Sequence, residues 1–144
     1  MTKASDDPIV IVGLARTPMG AFQGAFSTVQ ASTLGAVAIK AALEESGVDA
    51  DKVEQTLMGC VLPAGQGQAP ARQAAIKAGL SMNCEAVTIN KMCGSGMQAA
   101  IQAHDAIKAG SANIIVAGGM ESMTNAPYVM PKARGGMRMG NQEI

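Results

Sequence analysis

Aromatic side chains are nearly missing from this sequence, which has no tryptophan, one tyrosine and two phenylalanines. Without a platform of that kind it cannot stack single-stranded bases. Charge is scarce too, and it cancels: eleven lysines and arginines face eleven aspartates and glutamates, for a formal net charge of zero. Nucleic-acid and anionic-membrane binders carry a basic face, so neither kind of partner is expected. No apolar run reaches the roughly 18 residues that a membrane span needs. Residues 1–7 hold two aspartates and no apolar stretch, unlike a secretory signal or transit peptide. The three cysteines, Cys60, Cys84 and Cys93, form no Cys-x-x-Cys pair. An odd number at irregular spacing fits neither a disulfide framework nor a zinc site, so no metal is expected and the reducing cytoplasm is the expected compartment.

What is present is aliphatic. A chain of 144 residues with 48% hydrophobic content can fill one core. Ile9-Val10-Ile11-Val12 is a continuous β-branched run, the pattern of a strand covered on both faces. Ser32 then suits the cap of a helix whose Leu34, Val37, Ala38, Ala41 and Ala42 follow helical spacing, with Gly47 at its end. Residues 53–62 read as a second strand, and residues 63–69 as a Gly- and Gln-rich loop. Pro70 opens a short helix closed by Gly79. A third strand over 86–90, a helix over 95–108 ended by Gly110, and a fourth strand over 114–117 stopped by Gly118-Gly119 complete the pattern. Strands alternating with helices imply an α/β fold with a mostly parallel sheet between helix layers. After Gly119 the methionines at 120, 123, 130, 137 and 139 lie among Asn, Pro, Gly and Arg without period, so this stretch reads as loop. A compact domain seldom closes on so long a loop, which points to a natural end further downstream.

The chemistry concentrates at Asn90-Lys91-Met92-Cys93-Gly94-Ser95-Gly96. A cysteine between a strand end and a helix start sits in the positive field of the helix amino terminus, which favours thiolate over thiol. Gly94 and Gly96 clear the approach to the sulfur and expose backbone N–H groups suited to an oxyanion. The layout parallels the strand-turn-helix of a serine nucleophile elbow. The following helix carries Met97, Ala99, Ala100, Ile101, Ala103, Ala106, Ile107 and Ala109, apolar on most of its circumference, and is expected in the interior. Simple packing is the competing reading, since free cysteine is among the most buried residue types. His104, the one histidine, lies about 16 Å further along the same helix at a rise of about 1.5 Å per residue, too far to activate Cys93. A base for Cys93 is therefore not found in these residues, and His104 reads as a partly exposed residue beside Asp105.

Ile89-Asn90-Lys91-Met92-Cys93-Gly94-Ser95-Gly96-Met97-Gln98-Ala99 resembles the acyl-enzyme cysteine motif of the thiolases. Arg16-Thr17-Pro18-Met19-Gly20, Pro70-Ala71-Arg72-Gln73-Ala74 and Gly118-Gly119-Met120-Glu121-Ser122-Met123 match in the same order. The resemblance implies condensation of two acetyl-CoA to acetoacetyl-CoA and CoA, or the reverse thiolysis, through an acyl group on Cys93. The Cys93 backbone N–H would help to hold the thioester oxygen. Coenzyme A enters as part of the substrate, and no separate cofactor is implied. The implied fold is thiolase-like, with one partial βαβαβαβ half-repeat present. Residues 1–119 would form the amino-terminal domain and residues 120–144 the start of an inserted loop region. A homodimer or homotetramer is implied as well.

The activating histidine and the second, acid–base cysteine of the family have no match among these residues. Cys60 and Cys84 read as core or loop thiols, and the chain alone is expected to be inactive or slow. Ala64-Gly65-Gln66-Gly67-Gln68 lacks the lysine and hydroxyl residue of a phosphate-binding loop and reads as plain loop. Lys132, Arg134 and Arg138 suit CoA phosphates or a solvated loop, Arg16 suits loop structure, and the methionines suit gap filling or an acyl channel. Competing functional readings are a degradative 3-ketoacyl-CoA thiolase of broader chain length, a non-catalytic half-domain that needs a partner chain, and a thiol redox protein, for which no resolving cysteine is spaced.

Overall fold

The computed structural model describes residues 8–131 and 133–136. Three short strands, β1 (Gln55–Gly59), β2 (Glu85–Ile89) and β3 (Ile115–Gly119), form one all-parallel sheet in the order β2-β1-β3. β1 is central, with Leu57 opposite Val87 on one side and Ala117 on the other. Parallel neighbours need long crossovers. α2 (Pro70–Lys77) supplies the one between β1 and β2, and α3 (Ser95–Lys108) leads from β2 to β3. α1 (Ala31–Ser46) precedes the sheet, and a short α4 (Ala133–Gly136) follows it.

Side chains on a strand alternate between its faces, and here the alternation sorts them into two cores. Met58 and Cys60 join Ala86 and Val116 in one core with Ile39 of α1 and Ala71, Ala74 and Ala75 of α2. Leu57, Ile89 and Ile115 face the other way and pack on Ala99 and Ala103 of α3. Glu54 fastens the strands at their starts: its N–H donates to Ile114 O (3.0 Å) and its C=O accepts from Glu85 N (2.9 Å). Its carboxylate accepts from both the backbone and the side-chain N–H of Asn113, and these bonds, the backbone one first, hold the carboxyl below its ordinary range.

The helix ends follow the sequence signals in most places. Gly47, in the left-handed region at φ 67°, ends α1 and donates its N–H to Leu43 O, while Pro70 opens α2 at its first position. α1 starts differently from expectation. Gln30 is the cap residue and makes no side-chain cap bond. Ser32 is buried at the second position of the helix, where its hydroxyl accepts from Lys77 Nζ at 2.8 Å, because α1 and α2 are close-packed there. At Gly35 of α1 a Cβ would come within 3.4 Å of Ala74 Cβ on α2 and within 2.6 Å of Met120 Sδ, beyond β3.

Three other expectations are corrected. Residues 9–12 form no strand among the described residues. They are largely exposed, with Ile11 79% accessible, because a strand is made by its partner and none of the described residues offers them one. Gly13 instead lies against α1, and Leu14 N–H donates to Glu45 (2.7 Å). Gly118 and Gly119 do not stop the last strand but belong to it, paired with Met58 and Gly59. α3 is not wrapped on all sides: only Ser95, Ala99 and Ala103 are buried, and Met97 is 71% accessible.

The stretch after β3 is tied to the body. Met120 is buried in the larger core, Asn125 Nδ2 donates to Val29 O (3.0 Å), and Gln23 N–H donates to Thr124 Oγ1 (2.9 Å). Among the described residues no helix is long and apolar enough to cross a membrane.

Candidate active site

The amino end of α3 lies against the carboxyl ends of β1 and β3, and glycines make that approach possible. A Cβ on Gly59 would come within 2.7 Å of the backbone carbon of Ser95 and 2.8 Å of Gly96 N. Gly119 meets Gly96 Cα at 3.5 Å, measured from the same built position. Glycine is the residue that lets one backbone come this near another.

Between β2 and α3 the chain makes a sharp elbow. Met92 adopts φ 48°, a left-handed conformation uncommon outside glycine. Its cost, of order 1–3 kcal/mol for a strained residue, is met by surrounding bonds. Asn90 Oδ1 accepts from Met92 N–H at 3.1 Å, an Asx-turn. Ser95, buried, donates its hydroxyl to Met92 O (2.6 Å) and accepts from Lys91 N–H (2.9 Å). Gly94 N–H closes the turn on Lys91 O at 3.0 Å. In this elbow the strained residue is the one before the cysteine.

Cys93 sits at the tip of the turn and is exposed, whereas Cys60 and Cys84 are buried. Gly94, which provides no side-chain cap, occupies the cap position of α3, so the helix amino end is open next to the sulfur. An exposed thiol beside an open helix terminus makes a site suited to attack on a carbonyl and to holding the resulting oxyanion.

The remaining residues singled out in the sequence make other contacts. His104 is exposed on α3 and meets Asp105 at 3.2 Å. Cys84 packs against Thr56 Oγ1 at 3.3 Å. Cys60 lies beside Glu121, its Sγ 3.6 Å from Oε1; burial first, and then the charge of Glu121, push this thiol up and keep it protonated. The loop over 63–69 is held to α2 by Gln73, whose Nε2 donates to Gln66 O (2.6 Å) and Gln68 O (2.8 Å). Arg72 donates to the carbonyls of Met82 (2.7 Å) and Cys84, fixing the turn into β2. Arg16 is exposed at the rim of a hollow lined by Thr17, Met19, Leu34 and Glu121. Arg134 is exposed on α4; Lys132, Arg138, Met137 and Met139 lie outside the described residues, as do residues 1–7. Of the remaining methionines singled out, Met120 fills the core, while Met123 and Met130 are exposed.

Glu121 and Asn90 went unnoticed as structural agents in the sequence. Glu121 Oε2 accepts from Val61 N–H (2.7 Å) and Oε1 from Leu62 N–H (3.1 Å), and Asn90 Nδ2 donates to Val61 O (3.2 Å). Asn90 had a local signal, because asparagine two residues before a bend commonly closes an Asx-turn. Glu121 had none, since its partners lie about 60 residues away in sequence.

A family model described as "Thiolase, N-terminal domain" matches residues 9–144. The chain is 54% identical over 136 residues to an acetyl-CoA acetyltransferase of Cupriavidus necator, which covers 94% of this chain and 35% of the relative. It is 52% identical over 136 residues to one of Pseudomonas aeruginosa, with the same coverage, and 52% identical over 134 residues to one of Yarrowia lipolytica, covering 93% and 33%. The chain thus spans about a third of the length of these curated relatives. The ordered motifs, the parallel sheet with its cysteine elbow, and a family match across nearly the whole chain place this protein in the thiolase family.

Proposed function

We propose that the protein is a thiolase-type acyltransferase that joins two acetyl-CoA into acetoacetyl-CoA and CoA, or runs the reverse thiolysis, with Cys93 as the acyl acceptor. The observation that carries this reading is the exposed Cys93 at the open amino end of α3, in a family whose relatives are named acetyl-CoA acetyltransferases. In the first half-reaction Cys93 Sγ bonds to the thioester carbonyl carbon. The Cys93 N–H supports the oxyanion, the carbon–sulfur bond to CoA breaks, and the proton lost by Cys93 ends on the departing CoA thiol. Exchange of one thioester for another costs little, which is the advantage of the covalent route. In the second half-reaction a base takes an α-proton from another acetyl-CoA, the resulting carbanion bonds to the acyl carbon, and the carbon–sulfur bond to Cys93 breaks, releasing acetoacetyl-CoA while the proton returns to the Cys93 sulfur.

We place the base and acid of these steps outside the 144 residues, because His104 lies far along α3 beside Asp105 and both other thiols are buried. By itself the chain is then slow or inactive. A second reading, a half-domain that works only with a partner chain or further residues, is favoured by one feature: Val10, Ile11, Val12, Leu14, Met97 and Ile101 are all exposed. Apolar surface of that extent usually meets a partner. On the first reading the assembly is a homodimer or homotetramer located in the cytoplasm, where three free thiols stay reduced. Acyl chain length separates the short-chain enzyme from a degradative 3-ketoacyl-CoA thiolase.

The test is intact mass with peptide mapping after incubation with acetyl-CoA, beside Cys93→Ser. An acetyl adduct on Cys93 that the variant lacks, formed slowly by the chain alone and readily once it is extended to the length of its relatives, is the expected result. An adduct found only when the chain is extended to the length of its relatives assigns activation to the added residues; no adduct in either rejects the thiolase reading.

A further inference from the structure

A chain of polar contacts runs along the carboxyl ends of the three strands to the elbow. It begins at Glu121, just beyond β3, whose carboxylate takes the N–H groups of Val61 (2.7 Å) and Leu62 (3.1 Å) beyond the end of β1. A carboxylate accepting two backbone N–H groups makes strong, directional bonds. Val61 then turns its carbonyl to Asn90 Nδ2 (3.2 Å), and Asn90 Oδ1 receives the Met92 N–H (3.1 Å). The path thus runs from the end of β3, through the end of β1, to the residue before Cys93. The first two links join one strand end to the next, and the last, local to the elbow, supports the strained φ of Met92. Gln66 braces the middle of the path by donating to Leu62 O (2.8 Å) and Cys60 Sγ (3.3 Å).

We infer that Glu121 and Asn90 are positioning residues for Cys93: Glu121 fixes the loop after β1, Asn90 carries that constraint to the Met92 bend, and the bend holds the sulfur at the amino end of α3. The inference rests on the reading of Cys93 as the nucleophile only for its consequence in acyl transfer; the relay itself exists or fails independently. Neither residue touches the reacting atoms. A nucleophile placed to within about 0.5 Å needs a supporting shell of this kind.

The test uses the chain as it is, with Asn90→Ala, Glu121→Gln and Asn90→Ser. Glu121→Gln keeps one acceptor oxygen and should fold even if removal of the whole side chain would not. Two quantities are read: amide hydrogen exchange at Met92, and the rate of alkylation of Cys93 by iodoacetamide, with the buried Cys60 and Cys84 as reporters of unfolding. Asn90→Ala and Glu121→Gln are expected to speed Met92 exchange about threefold or more, although Glu121 does not touch Met92. They are expected to slow Cys93 alkylation about threefold, as the sulfur drifts from the helix terminus, while Cys60 and Cys84 stay unreactive. Asn90→Ser, which retains an oxygen two residues before Met92, should restore part of the Met92 protection. General loosening would instead speed alkylation of all three thiols, and that outcome overturns the inference. So does Met92 exchange unchanged in Glu121→Gln. Iodoacetamide needs no CoA, so the relay is judged even if acetyl-CoA leaves no adduct on Cys93; that result would count against the nucleophile reading alone.

Discussion

The two faces of the sheet are built to different standards. On the face covered by α1 and α2, alanines at 71, 74 and 75 are fully buried and Met58, Cys60 and Met120 fill the space between them. On the face covered by α3, the buried set shrinks to Leu57, Ile89, Ala99 and Ala103, and Val87, Met97 and Ile101 stay exposed. The closed face is a finished core; the open face carries the cysteine elbow. Stability and chemistry are thereby separated: the first face holds the sheet together, and the second offers a helix terminus that a substrate or another segment can reach.

The largest effect should come from trading neighbours in β1 that point to opposite faces. Met58→Ala, in the closed core, is expected to cost about 3–5 kcal/mol of folding free energy and Leu57→Ala about 2–3 kcal/mol, the spread reflecting how easily each site relaxes. Urea unfolding of both variants measures the difference, and equal costs would erase the contrast between the faces. Gly59→Ala comes next. Its new methyl group would meet the backbone of Ser95 and Gly96, so a loss of about 1–3 kcal/mol is expected. Because the amino end of α3 must move, Cys93 alkylation should change in the same variant; an unchanged rate would mean that Gly59 matters for packing alone.

On the open face, Met97→Gln should leave the unfolding free energy within about 0.5 kcal/mol, as for an ordinary surface position. A larger loss measured on the chain by itself would show that α3 is covered there in solution. The smallest effect belongs to Glu54, which is exposed. Its folded carboxyl lies below the ordinary value of 4.5. Its contribution is therefore fully present above that value and lost as pH falls through the folded one. The unfolding midpoint of Glu54→Gln should lie slightly below that of the unsubstituted chain near neutrality and converge with it in acid. A gap that widens toward low pH would show that the Asn113 bonds do not favour the ionised form.

Local signals and distant ones fared differently in the sequence. α3 spans Ser95–Lys108 as its alanine spacing indicates, Pro70 opens α2, and Gly47 ends α1. Each of these rests on a residue and its near neighbours. The cysteine elbow was legible for the same reason, since strand end, glycines and helix start lie within a few positions. Residues 9–12 misled because their β-branched run states a preference, whereas a strand needs a partner. Ser32 misled because the side chain of Lys77, 45 positions away, claims its hydroxyl. Glu121 was silent because a carboxylate gains its role from whichever N–H groups the fold brings to it.

The central claim is that Cys93 takes an acyl group from a thioester and returns it to CoA. Exchange of isotopically labelled CoA into unlabelled acetyl-CoA reads that half-reaction by itself, and it should be followed in the chain carried to the length of its relatives, with Cys93→Ser alongside. Label entering acetyl-CoA at a rate that Cys93→Ser abolishes is the expected result. Exchange that persists in Cys93→Ser, or that never occurs, would contradict the account.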